Sequence, residues 1–286
     1  MYKARIFAFA DEASPMIDEQ IKAMKRNGLL GLEIRSVDGE SVSSISMEKA
    51  KEVHRKMEDA GLTVWSIGSP IGKIDIEKDD FGQHLDVLKR TLDIAHILEC
   101  GNIRMFSFYL PRDKQPSLFR NEVMDRLHNM VKVSKDSGVQ LCHENEKGIY
   151  GDNAVRCSEI LSEIPEIAGI FDPANFVQCG QDTMEAWKML KPHIKYLHIK
   201  DAMFADSSVV PAGHGDGHVV DIVKAFLETQ DPHLTIEPHL MIFSGLSGLE
   251  HDGRRTLVGK FVYETNDQAF DAACSALREI VEPLVG

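Results

Sequence analysis

The chain has 286 residues, 43% of them hydrophobic, with 45 acidic against 32 basic side chains and a formal net charge of −13. So acidic a chain argues against sequence-independent nucleic-acid binding, which runs on Lys and Arg neutralising phosphates, and against docking on anionic membranes. No stretch approaches the 18 or so apolar residues of a membrane span, and length alone leaves the domain count open.

The chain begins "MYKARIFAFADEASP", where Asp11 and Glu12 interrupt the apolar run too early for a signal peptide. A repeated unit then runs through the sequence: a short apolar, often β-branched segment, a polar tip, and a longer amphipathic segment. "RIFAFADE" (5–12) is followed by a helical pattern over 15–27 with Ile17, Ile21 and Met24 on one face. "LLGLEIRS" (29–36) precedes a helix over 48–60 stopped by Gly61. "LTVWSIGS" (62–69) precedes one over 83–99, with Leu85, Leu88, Leu92, Ile94, Ala95 and Leu98 at helical spacing. "NIRMFSFY" (102–109) leads to a helix over 118–137 ending at Gly138. "VQLCHENE" (139–146), "IAGIFDPA" (167–174), "IKYLHIKD" (194–201) and "LTIEPHL" (234–240) follow, and a helix near 266–284 closes the chain. The five cysteines (Cys100, Cys142, Cys157, Cys179, Cys274) are scattered, without C-x-x-C, as expected of free thiols in a reducing cytoplasm.

Eight strands alternating with helices imply parallel pairing through right-handed crossovers. The expected fold is α/β, a (β/α)8 TIM barrel forming one domain over residues 1–286. The alternative, an open doubly wound sheet, usually carries a glycine-rich first turn; "FADEASP" has no glycine.

In such a barrel the strand tips at one end carry the chemistry. Four consecutive tips end in Glu144, Asp172, His198 and Glu237. Neighbouring strands lie about 4.8 Å apart, so four adjacent tips on a curved wall can surround one point. Three carboxylates and an imidazole suit one divalent ion: Mn²⁺, Zn²⁺ or Mg²⁺. The alternatives are a turn before proline for Asp172 in "FDP" and a satisfied core histidine for His198. A divalent ion on two adjacent oxygens of a hydroxy-carbonyl compound acidifies the C–H between them, and carboxylates on either side move the proton. Glu144 and Glu237, on the first and last of the four strands, are the catalytic pair.

Strand alternation places Lys200 on the side of His198, either to stabilise an oxyanion or as a surface lysine. Asn175 is a candidate donor to sugar hydroxyls, and His239 faces the same cavity as Glu237. Glu33 points into the barrel mouth or to a salt bridge with Arg35. "PAGHGDG" (211–217) reads as a phosphate-binding loop or as a structural or lid loop, with His214 reaching a ligand or simply exposed. Within "HENE", Glu144 is the residue for metal and proton transfer. Glu146 lies in the loop beyond, and His143 points to the helix layer or a neighbouring strand end.

"LCHENEKGIYGD", "GIFDPANF", "YLHIKDA", "PAGHGDG" and "LTIEPHL" together resemble the signatures of the sugar phosphate isomerase/epimerase superfamily, the xylose-isomerase-like barrels, and "FADE" and "GLEIRSVDG" extend the likeness over nearly the whole chain. The resemblance implies metal ligands at Glu144, Asp172, His198 and Glu237, with Glu144 and Glu237 also acting as acid and base. It implies an isomerase or epimerase of a small sugar, keto-sugar or cyclitol, phosphorylated or not, with an inosose-type dehydratase as the alternative. Two positions depart from the ketose 3-epimerases of the group: Asn175 stands where they have a histidine and Phe204 where they have an arginine. The group's zinc apurinic endonucleases fit less well, because the third and fourth tips carry no histidine. A non-catalytic sugar-binding barrel is the remaining reading. Barrels of the group are often dimers or tetramers, which leaves a homo-oligomer open.

Overall fold

Each of the eight apolar runs forms a strand in the computed structural model, which describes residues 4–243, 257–258 and 261–285. The strands are β1 (Arg5–Ala8), β2 (Gly31–Ile34), β3 (Thr63–Ile67), β4 (Asn102–Met105), β5 (Gln140–Glu144), β6 (Ala168–Phe171), β7 (Ile194–Ile199) and β8 (His233–Ile236). They pair in parallel, each with its neighbour in sequence, and β8 closes on β1. The result is a closed eight-stranded barrel with helices between the strands.

Among the described residues the α-helices are α1 (Ile17–Arg26), α2 (Met47–Asp59), α3 (Phe81–Ile97), α4 (Arg120–Ser134), α5 (Ala154–Glu163), α6 (Pro173–Gln178), α7 (Thr183–Leu190), α8 (Val219–Phe226) and α9 (Asn266–Val285). Side chains of Ser46, Asp80, Asn153, Asp172 and Asp182 cap five of them by accepting a backbone N–H of the first turn. The helix expected from residue 118 begins at Arg120, because Pro116–Phe119 forms a 3-10 turn. α6 breaks the simple alternation. It starts at Asp172, directly on the tip of β6.

Strand alternation sorts the side chains. Leu32, Ile103, Leu141, Leu197 and Leu234 belong to the large core between sheet and helices. Cys142, Ile170 and Tyr196 form a separate cluster inside the barrel, with Trp65 against it. Trp65 stacks on His233 at 3.6 Å and on Phe7 at 5.6 Å, flooring the interior. Above Tyr196 the interior turns polar, and the ladder ends earlier than the apolar runs suggest. Ala10–Glu12, for example, is a 3-10 turn that carries Asp11 and Glu12 over the mouth. None of the five cysteines is in a disulfide. Among the described residues, no helix is long and apolar enough to cross a membrane.

Candidate metal centre

Glu144, Asp172, His198 and Glu237 converge at the C-terminal end of the barrel, each with a donor atom within 4.8 Å of the others, and all four are buried. Each is delivered by its own strand end. Glu144 closes β5 and His198 lies in β7. Asp172 and Glu237 follow β6 and β8 directly.

The neighbours of each are specific. Glu144 Oε2 takes Arg104 Nη1 at 3.1 Å, and Oε1 accepts Asn175 Nδ2 at 3.2 Å. Asp172 Oδ1 caps α6 by accepting the Asn175 N–H at 3.0 Å, while Oδ2 lies 2.7 Å from Lys200 Nζ. His198 Nε2 is 3.0 Å from Glu33 Oε2, and Nδ1 lies 3.1 Å from Glu144 Oε1 and 3.6 Å from Glu237 Oε2. Glu237 Oε2 accepts Lys200 Nζ at 2.8 Å, and Oε1 faces Arg35 Nη1 at 3.4 Å.

The donor set fits a divalent ion. Glu33 accepts the Nε2 proton of His198, which orients the ring and aims Nδ1 at carboxylates, where its lone pair would meet an ion once its proton is lost. Nδ1 of His198 and Oδ2 of Asp172 are buried without a well-formed hydrogen bond, although Glu144 Oε1 and Lys200 Nζ lie 3.1 and 2.7 Å away. Six buried carboxylates (Asp11, Glu12, Glu33, Glu144, Asp172, Glu237) face three buried cations (Arg35, Arg104, Lys200) and remain in excess even with His198 protonated. Such an excess of charge is costly away from water unless a cation joins it.

The acid–base behaviour follows. Burial alone would push His198 down, but Glu144 and Glu33 outweigh it and bring its pKa up to about 10. Burial, with Glu237 and Glu144 nearby, lifts Asp172 to about 7 against the pull of Lys200. Glu144 resists burial through His198 and Arg104 and stays below the usual carboxylate range. Glu237 is held well below it by Lys200, His239 and His198, again against burial. Without a metal, His198 therefore carries a proton where a metal would sit, and metal binding releases it.

The remaining sequence candidates divide. Lys200 is buried and bridges Asp172 and Glu237, so it is not a surface lysine. His239 is buried with Nδ1 3.7 Å from Glu237 Oε1. Asn175 gives both its amide hydrogens to the protein, to Glu144 Oε1 at 3.2 Å and to Asn145 O at 3.0 Å, so it positions a carboxylate of the cluster. Glu33 points into the barrel and holds His198 and the Tyr196 hydroxyl at 3.0 Å, whereas Arg35 pairs with Asp11, Glu12 and Glu237 instead. His214 is exposed, its ring 5.4 Å from that of Phe261. The glycine loop cradles an anion, but the anion is the protein's own. The N–H groups of Gly213, Gly215 and Gly217 donate to the Asp201 carboxylate at 2.9–3.0 Å. His143 reaches the neighbouring strand end, Nε2 3.0 Å from Ser107 Oγ.

Two groups escaped the sequence reading. Arg104, inside the barrel on β4, holds Glu144 and lies over the rings of Phe9 and Phe106. A lone arginine at an inward position of "NIRMFS" was the signal. Lys73 pairs with Glu146 at 3.0 Å and lies over Phe106 at 4.4 Å. Nothing local to Lys73 shows that a turn 73 residues earlier meets the β5 tip.

Residues 21–242 match the family described as xylose isomerase-like TIM barrel, and the chain belongs to that family. Among curated proteins it is 23% identical over 190 residues to the uncharacterised protein YihM of Escherichia coli (strain K12). The match covers 66% of this chain and 53% of that protein, so the chain spans about half the length of its curated relative. Similar solved structures include the IOLI protein with a bound zinc atom (TM-score 0.74, 13% identity, 99% of both chains). The probable 3-DHS dehydratase AsbF of Bacillus anthracis aligns with TM-score 0.72 and 14% identity over 96% of this chain and 98% of that one. A D-tagatose 3-epimerase-like protein aligns with TM-score 0.72 and 13% identity over 98% of both. At these identities the structures share the fold.

Proposed function

We propose that the chain is a single-domain, divalent-metal-dependent isomerase or epimerase of a small sugar, keto-sugar or cyclitol, acting in the cytoplasm. Glu144, Asp172, His198 and Glu237 hold the ion (Mn²⁺, Zn²⁺ or Mg²⁺), and Glu144 and Glu237 exchange the substrate proton. The observation that carries this reading is the buried convergence of those four donors, with His198 Nδ1 left unbonded. A bound divalent ion would polarise adjacent carbonyl and hydroxyl oxygens of the substrate and acidify the C–H between them.

The chain's own residues supply the rest. Arg104 and Asn175 fix Glu144, and Lys200 and Arg35 fix Glu237, so both carboxylates are ionised and oriented to accept a proton at neutral pH. The Lys200 ammonium, touching Asp172 and Glu237, is placed to stabilise negative charge on a substrate oxygen. His239 borders the cavity, and Asn175 acts through Glu144. A dehydratase is the second reading. Phe204 supports it: its side chain is 46% exposed and brings no charge to the position where ketose 3-epimerases carry arginine. Lys200, held cationic by its surrounding carboxylates, would then stabilise charge on the departing hydroxyl oxygen.

In D₂O, the manganese-loaded protein should place deuterium on a carbon of a responsive ketose or cyclitol. Glu144→Gln and Glu237→Gln should each lower that exchange by a factor of about 10²–10⁴. Full exchange in both variants would remove the two-carboxylate mechanism. Loss of water from a keto-inositol would select the dehydratase.

A further inference from the structure

The two carboxylate oxygens of Glu237 face different ways. Oε2 looks into the four-residue cluster, 2.8 Å from Lys200 Nζ and 3.6 Å from His198 Nδ1. Oε1 looks toward the β1 tip, 3.7 Å from His239 Nδ1 and 3.4 Å from Arg35 Nη1. Glu12 completes a group on that side. Its Oε2 accepts the backbone N–H of His239 at 2.6 Å, and its Oε1 accepts Arg35 Nη2 at 3.0 Å and lies 3.0 Å from His239 Nδ1. Glu12, Glu237 and His239 each offer a donor within 4.8 Å of the other two, and all three are buried.

His239 Nδ1 supplies a second, independent observation. The residue is 5% exposed, and Nδ1, 3.0 Å from Glu12 Oε1, is a buried polar atom without a well-formed hydrogen bond. His198 Nδ1 is in the same condition in the first cluster, 3.1 Å from Glu144 Oε1. Both imidazoles are buried, and both aim a nitrogen among carboxylates. Arg35 reaches both carboxylates of the second group, donating to Glu12 Oε1 at 3.0 Å and facing Glu237 Oε1 at 3.4 Å, but it also holds Asp11 through two bonds of 2.9 Å, so one guanidinium is shared among three carboxylates.

We propose that Glu12, Glu237 and His239 form a second divalent-cation site, joined to the first by Glu237 as a bridging carboxylate. The proposal rests on reading Glu237 as a ligand of the first cluster. One imidazole and two carboxylates suit Mn²⁺, Co²⁺ or Zn²⁺ better than Ca²⁺, which takes oxygen donors alone. Paired divalent ions stabilise charge on two substrate oxygens together, and Glu237 is the one residue that touches both groups.

The test is Mn²⁺ titration of the chelator-stripped chain, with stoichiometry read by calorimetry and the environment by electron paramagnetic resonance. Two ions per chain with a spin-coupled spectrum are expected. Glu12→Gln and His239→Gln should each drop the count to one and abolish the coupling, and Asp172→Asn should abolish it from the other side. One ion per wild-type chain, or two uncoupled ions, overturns the proposal. A single ion lost in Asp172→Asn but kept in Glu12→Gln removes the second site and leaves the first standing. No bound ion removes both. The wild-type chain decides the question even where a buried variant fails to fold.

Discussion

Asp172 and His198 each divide two polar atoms between two tasks. One oxygen of Asp172 caps α6 and the other faces the site. One nitrogen of His198 is held by Glu33 and the other faces carboxylates. The ordinary readings, a cap before proline and a satisfied core histidine, are therefore each half true, and the other half is what the proposed metal site would use. Through the ring it holds, Glu33 would then govern metal affinity without touching the ion. Glu33→Gln should weaken Mn²⁺ binding about 10–100-fold with one ion still bound at the four-residue cluster, as read by calorimetry. An unchanged affinity would mean that Glu33 does not orient the imidazole. This role was not legible in the sequence, since Glu33 and His198 stand 165 residues apart and the local choices at "GLEIR" were the mouth or Arg35. The convergence of the four candidate donors was legible, because each ends an apolar run whose alternation fixes the side it faces.

At the scale of elements, the loops do as much as the strands. The β3–α3 loop brings Lys73 to Glu146 through a tight path. Gly72 adopts φ +85°, and a Cβ there would lie 2.0 Å from the Phe106 carbonyl oxygen. Its N–H donates to His84 Nε2 at 2.7 Å, so the loop is pinned to α3 by a neutral imidazole. Burial lowers His84 to about 4 from 6.5. Between those values the unfolded chain binds the proton and the folded chain does not. The stability that depends on neutral His84 is complete above about pH 6.5 and is lost as pH falls toward 4, by an amount on the order of 3 kcal/mol. Urea unfolding at pH 7 and pH 4.5 should show a smaller acid loss in His84→Gln, whose amide oxygen can still accept the Gly72 N–H. An equal loss would rule out His84 as a source of the acid sensitivity. The glycine loop after β7 teaches a different lesson. Alternating glycines do signal an anion cradle, but the pattern is the same whether the anion is a phosphate or Asp201, and only the three-dimensional path distinguishes them.

Across the whole molecule, the barrel was readable from eight alternating units because each strand pairs with its neighbours in sequence. What alternation does not give is the charge balance inside. Arg35, Arg104 and Lys200 come from three different strand ends to meet six carboxylates, and only closure of the barrel assembles them. A molecule built around that imbalance should be measurably steadier with its cation. An ion at a hundred times its dissociation constant adds about 2.7 kcal/mol, so chelation should lower Tm by several degrees, and Mn²⁺ should restore it. An identical Tm with and without chelator would show that no ion joins the folded chain.

The most direct measurement is the metal content of the purified chain, set against Asp172→Asn and His198→Gln. The proposed centre predicts at least one divalent ion per wild-type chain and a loss of that ion in both variants at unchanged fold, as judged by circular dichroism. A wild-type chain that binds no divalent ion, or an ion that stays in both variants, would contradict it.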